Sequence, residues 1–153
     1  MNTLTIHIGA DHRGFTSKEL LKEWLRKQGY EVIDKGAKKL AQDDDYPDFG
    51  VAVGEALSKD LRSRGILICG SSLGVCVTAN KFKGVRAGSL TTLFEAEHAA
   101  GSDAINVACL SSNQTSMTMM KKILSKWLET EFEGGHHLRR IKKIEKIEKK
   151  NFK

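Results

Sequence analysis

The chain has no apolar run of the roughly 20 residues that a membrane helix needs. Its start, MNTLTIHIGADH, lacks the charged segment followed by an apolar one that marks export. The expectation is a cytoplasmic chain with no membrane partner. Cysteine is scarce. Cys69, Cys76 and Cys109 are odd in number and lack the close spacing of a zinc site, which argues against both a disulfide framework and a metal knuckle. Pro47 is the only proline, and no internal repeat or low-complexity linker interrupts the chain. What remains, 153 residues with 40% hydrophobic content, suits one domain with a single core.

The net charge of +6 raises the question of a polyanionic partner. Residues 136–153 hold eight of the 25 basic side chains and two of the 19 acidic ones, so residues 1–135 are neutral. A nucleic-acid groove needs cations gathered on a folded face with aromatic or helix-end partners, whereas here they lie on one short lysine-rich segment. No nucleic-acid partner is expected. Leu138, Ile141, Ile144 and Ile147 recur every three residues among those charges, which predicts a helical tail with a narrow apolar stripe that needs a partner surface. The expected organisation is a domain over 1–135 with a basic helical extension over 136–153.

Strand and helix signals alternate along the rest. LTIHIGA (4–10) reads as a strand. Thr16 and Glu19 have capping-box spacing before a helix with Leu20/Trp24 and Leu21/Leu25 pairs, which Gly29 can end. YEVID (30–34) is a second strand, and KGAKKLAQDDDY reads as a polar loop. Pro47 is suited to the first turn of a helix running to Lys59. GILIC (65–69) is continuously apolar, as a strand covered on both faces must be. Helices near 74–82, 92–100 and 116–128 then alternate with strands near 85–89 and 105–110. Five strands alternating with helices predict an α/β fold, a parallel sheet between two helical layers.

In such a sheet ligands bind outside the carboxyl ends of the strands. That directs attention to Asp11, His12 and Arg13, to Cys69–Gly74, and to Asn113. The loop CGSSLG runs straight into a helix, whose N-terminal amides offer a place for an anion and favour a thiolate at Cys69. Packing alone also produces a cysteine at the end of an apolar strand. Asp11 can orient His12 and tune its proton affinity, or it can cap the first helix and leave His12 to solvent. Cys76, Cys109, His7 and His98 read as structural.

IGADHRGF near the start, DYPDFG (45–50), GILICGSSLGVCVTANKFKGVRA (65–87), INV (105–107) and FEGGHHLRR (132–140) together resemble the RpiB/LacAB family of sugar-phosphate isomerases over nearly the whole chain. The resemblance implies a Rossmann-like three-layer α/β/α sandwich, no metal or cofactor, and a homodimer or homotetramer with active sites shared between subunits. It implies an aldose–ketose isomerase for a small sugar phosphate, with ribose 5-phosphate and ribulose 5-phosphate the leading pair. A tetrulose-phosphate or galactose-6-phosphate isomerase, or a weakly catalytic sugar-phosphate-binding homologue, is the alternative. On the family's pattern Cys69 is the base for the carbon proton, and Ser71, where Thr is usual, would hold the enediolate oxygen with the amides of Gly70, Ser72 and Gly74. Asp11 and His12 would bind the sugar and assist ring opening, and Tyr46 would line the pocket. Ser102 and Asp103 stand where a His-Asn pair is usual. Of the three phosphate-binding positions 113, 136 and 140, only Arg140 is arginine, the others being Asn113 and His136. Arg13, where a small or apolar residue is usual, and Arg139 could restore the charge.

Overall fold

The computed structural model describes residues 3–152. Met1, Asn2 and Lys153 lie outside it. Strand β1 (Thr5–Ala10) leads to helix α1 (Phe15–Lys27), then β2 (Glu31–Asp34), α2 (Tyr46–Lys59), β3 (Arg64–Cys69), α3 (Leu73–Ala79), β4 (Ala87–Ser89), α4 (Leu93–Gly101), β5 (Val107–Ser111), α5 (Met117–Glu129) and α6 (His136–Asn151). All pairings are parallel and the sheet order is β2-β1-β3-β5-β4. The expected Rossmann-like α/β/α sandwich is the fold.

The continuous apolarity of β3 follows from its central place. Ile66 and Ile68 enter a core with Leu21 and Leu25 of α1, Ala96 of α4 and Met120, Ile123 and Leu124 of α5. Leu67 and Cys69, on the opposite face, join Val53 and Leu57 of α2 and Val75 and Ala79 of α3. Burying each of these large aliphatic side chains contributes about 1.5–3 kcal/mol, so both layers hold the strand that ends in Cys69. Pro47 sits in the first turn of α2 as expected, where its missing N–H costs no helix bond.

One local expectation is corrected. Thr16 and Glu19 form no capping box: α1 starts at Phe15, with Gly14 as N-cap. The carboxylate of Asp11 supplies the entry turn instead, and Glu19 is drawn away to Lys18 and Lys22. Leu20 of the Leu20/Trp24 pair is half exposed. Lys18 occupies the inward position beside Leu21 and Leu25, is fully buried, and places Nζ 3.0 and 2.9 Å from the two carboxylate oxygens of Asp34 and 2.7 Å from the Ala37 carbonyl. This ties the end of β2 and the start of the following loop to α1.

Helix α6 lies toward the β4 edge, where Gly84 N–H donates to Glu148 Oε1 at 2.9 Å. Of the predicted stripe, only Ile141 is buried, while Leu138, Ile144 and Ile147 remain exposed. No helix among the described residues is long and apolar enough to cross a membrane.

Candidate active site

The chain reverses direction across the sheet between β1 and β3, which opens a crevice at their carboxyl ends. Ala10 pairs with Ile68 there, so the Asp11 and Cys69 segments emerge side by side. Asp11 is buried, and its Oδ1 accepts from the N–H of Arg13 at 3.0 Å and of Gly14 at 3.1 Å. That oxygen shapes the turn before α1. His12 is not left to solvent: its backbone N–H and its ring Nδ1 both lie 2.8 Å from Asp44 Oδ1.

Cys69 is 4% exposed at the end of β3. The strand end is clasped to β5 by the Ser112 N–H, 2.9 Å from the Cys69 carbonyl, and by Ser111 Oγ, which donates to the Gly70 carbonyl at 2.6 Å. Ser71 Oγ accepts from Leu73 N–H at 3.2 Å, so the hydroxyl closes the loop on itself. Among the described residues, the N–H groups of Ser71, Ser72 and Gly74 have no acceptor. Ser72 adopts φ 71°, a left-handed conformation costing a side chain on the order of 1 kcal/mol. Its hydroxyl donates to Ser89 Oγ at 3.0 Å. The strained residue thereby turns the loop into α3 with its amides unbonded.

Three side chains close over this loop. A methyl group at Gly70 would come within 2.9 Å of Arg13 Cδ and 3.1 Å of Asn113 Nδ2, and one at Gly74 within 2.6 Å of the Tyr46 ring. The two glycines are the space in which Arg13, Asn113 and Tyr46 approach the backbone. Asp11, His12, Arg13, Tyr46, Cys69–Gly74 and Asn113 thus gather at one sheet end.

The remaining predicted residues stand apart. Ser102 and Asp103 follow α4 and face His98, with Ser102 Oγ 3.5 Å from Nδ1 and Asp103 Oδ2 3.6 Å from Nε2. His136 and Arg140 lie in the first turns of α6, the His136 ring tilted by 39° against that of His137 with centroids 4.0 Å apart. No hydrogen bond or ion pair among the described residues joins His136, Arg139 or Arg140 to the Cys69 loop. Two cavities of about 580 Å³ lie elsewhere, one lined by Thr3–Thr5, Glu31 and Asp60, the other between α6 and Lys83–Arg86. Ser71 is the exposed point of the Cys69 loop, which is flanked by the exposed Leu73 and Val77 of α3.

Two features escaped the sequence. Asp44 sits in the segment read as a plain polar loop, where its one signal was three consecutive carboxylates before Tyr46. Cys76, read as core, is only half buried. Cys109 hydrogen-bonds its thiol and outweighs burial, with Ser89 adding to the effect, which lowers Cys76 to about 7. The partner Cys109 is pushed up by that same bond and by its own burial, so it keeps the proton. No group of three His, Cys, Asp or Glu side chains among the described residues could hold a metal ion.

Comparison with known proteins follows the same lines. A family model described as Ribose/Galactose Isomerase matches residues 6–144. The chain is 40% identical over 148 residues to a probable ribose-5-phosphate isomerase B of Mycoplasma genitalium, covering 96% of this chain and 97% of that one. It is 32% identical over 141 residues to D-erythrulose-4-phosphate isomerase of Pectobacterium atrosepticum, covering 92% and 93%. The crystal structure of ribose-5-phosphate isomerase B from Mycoplasma genitalium with bound ribulose-5-phosphate is similar at a TM-score of 0.96 and 39% identity, covering 99% of this chain and all of that one.

Proposed function

Because the chain belongs to the ribose/galactose isomerase family, we propose that it interconverts ribose 5-phosphate and ribulose 5-phosphate. The observation that carries the reading is a buried thiol, Cys69, at a strand end beside a loop of unbonded amides. In the open-chain aldose the Cys69 thiolate takes the C2 proton. The C–H electron pair forms the C1–C2 double bond, and the aldehyde oxygen becomes the enediolate oxygen. The amides of Gly70, Ser72 and Gly74 hold that charge, with Ser71 shaping the loop, and fixed dipoles of this kind need no reorganisation as charge develops. Cys69 returns the proton to C1 while O2 passes its proton to O1, leaving the ketose.

Asp11 and His12 bind the sugar and serve ring opening, and Tyr46 lines one wall. Arg13 and Asn113, both over Gly70, meet the phosphate from this chain. His136 and Arg140 do so from a second copy. The support is that α6 leaves them unjoined to their own loop, while Leu73, Val77, Ile144 and Ile147 form apolar surface that a partner would cover. The assembly is thus a homodimer or homotetramer with shared sites. Residues 136–153 are read as an extension of the same domain, supported by the Glu148 bond to Gly84. Three unpaired cysteines suit the cytoplasm.

The test is solvent-deuterium exchange at the substrate carbon across a panel of aldose and ketose phosphates. Ribose 5-phosphate should exchange fastest, and Cys69→Ala should abolish exchange by several orders of magnitude while preserving the fold. Near wild-type turnover by Cys69→Ala would refute the mechanism. The Pectobacterium relative favours a second reading, a tetrulose-phosphate isomerase, which faster exchange of a four-carbon substrate would select.

A further inference from the structure

We propose that Asp44 is a positioning residue that fixes the tautomer of His12, so that His12 Nε2 carries the proton transfer of ring opening. The inference rests on the isomerase reading and adds a residue to it. A carboxylate only accepts, so the 2.8 Å contact to Nδ1 requires the hydrogen on Nδ1 and leaves the Nε2 lone pair free. The same oxygen accepts from the His12 backbone N–H, also at 2.8 Å, so imidazole and main chain are held by one atom. Asp44 is itself held. Its loop is tied at the start by Lys18 on Asp34 and Ala37 and at the end by α2, which begins at Tyr46. Its second oxygen, Oδ2, is buried without a partner. An unpaired buried carboxylate oxygen costs stability, and the imidazolium formed transiently at His12 is the cation that it would stabilise.

His98 and His137 also face carboxylates, Asp103 at 3.6 Å and Glu133 at 3.2 Å, but neither follows a strand of the crevice. His7 is buried within β1, with Nδ1 unpartnered. His98 faces Ser102 and Asp103 beyond α4, and His136 and His137 lie on α6. His12 alone sits between two residues of the site: Asp11 at the crevice, and Arg13 over Gly70. In the step assigned to it, Nε2 takes the proton of the anomeric hydroxyl, whose electron pair becomes the second C1–O1 bond. The C1–O4 bond breaks, and O4 takes the proton back from Nε2.

Ribose 5-phosphate is mostly cyclic, whereas ribulose 5-phosphate has no free hydroxyl that can close a furanose. The two substrates therefore separate ring opening from carbon proton transfer. Asp44→Asn should lower turnover of ribose 5-phosphate by about tenfold or more. It should leave solvent-deuterium exchange into C1 of ribulose 5-phosphate within about threefold of wild type. Cys69→Ala should abolish both. Nitrogen-15 NMR of the imidazoles should report Nδ1–H at His12 in the wild type and a shift toward Nε2–H in Asp44→Asn. Equal loss of both activities, loss of neither, or Nε2–H in the wild type overturns the role of Asp44. Wild-type protein without exchange on any sugar phosphate overturns the isomerase reading and, with it, the step assigned to His12.

Discussion

Replacing Asp34 by Asn strips the charge from the partner of a fully buried lysine. Lys18 Nζ keeps the Ala37 carbonyl and Glu19, whose Oε1 is 3.1 Å away, but Glu19 is more exposed than Asp34 and is the weaker partner. Breaking a buried pair by removing one partner costs about 3–5 kcal/mol, and the residual partners put this one near the lower end, about 3 kcal/mol. For a chain of this size that is a fall in Tm of about 6–12 °C. Thermal or urea unfolding at fixed protomer concentration measures it. The double replacement of Lys18 by Met and Asp34 by Leu removes both charges and should recover most of the loss. Burial alone would raise the Asp34 carboxyl, but bonds from Lys18, Lys22 and the Gly36 N–H outweigh it and hold it below its ordinary value. A carboxyl lowered in the fold contributes stability that is present above about pH 4 and lost as pH falls through the folded value. Asp34→Asn should therefore flatten the acid limb of the stability profile. A cost under about 1 kcal/mol with an unchanged acid limb would refute the argument.

The remaining expectations concern the site and its surroundings. Arg13→Ala should raise KM for a phosphorylated substrate about tenfold with a smaller effect on kcat, and an unchanged KM means that Asn113, Arg140 and the loop amides suffice. Cys76 should be alkylated in the native protein with a rate that rises through about pH 7, because the thiolate is the nucleophile. Peptide mapping by mass spectrometry that finds Cys109 labelled first would contradict the pairing of the two thiols. Sedimentation at micromolar concentration should give a homodimer or larger, and Val77→Glu, on the exposed face of α3, should dissociate it with loss of activity. A monomeric wild type would sink the shared site.

The elements were legible where one physical rule governs a stretch of chain. β3 had to be apolar on both faces, Pro47 had to begin a helix, and Asp11 and Cys69 had to fall at strand ends. Sheet order was not legible, because buried parallel strands carry interchangeable aliphatic residues and nothing in VACLS assigns it to the centre rather than the edge. At the start of α1 the sequence offered two devices, the box at Thr16 and a cap by Asp11, and only Asp11, outside the helix, builds the entry turn. Lys18 had left a trace, a lysine three and seven residues before inward leucines, but its partner Asp34 lies on another element. Asp44 was hidden for the same reason: a loop carboxylate acquires meaning only when the fold brings it to His12.

The insertion of β5 between β3 and β4 imposes an order of events on synthesis. β4 pairs only with β5, although residues 87–89 leave the ribosome before residues 107–111 do. Until β5 arrives, β3 pairs on one side only and carries an open edge of unpaired amides and carbonyls beside Cys69, a template for unwanted strand pairing. A nascent chain stalled before residue 107 therefore exposes the middle of its own sheet, and the clasp from Ser111 and Ser112 that fixes the Cys69 loop closes only afterwards. The Cys69 loop therefore settles only once β5 is in place, and a product truncated before it would be aggregation-prone.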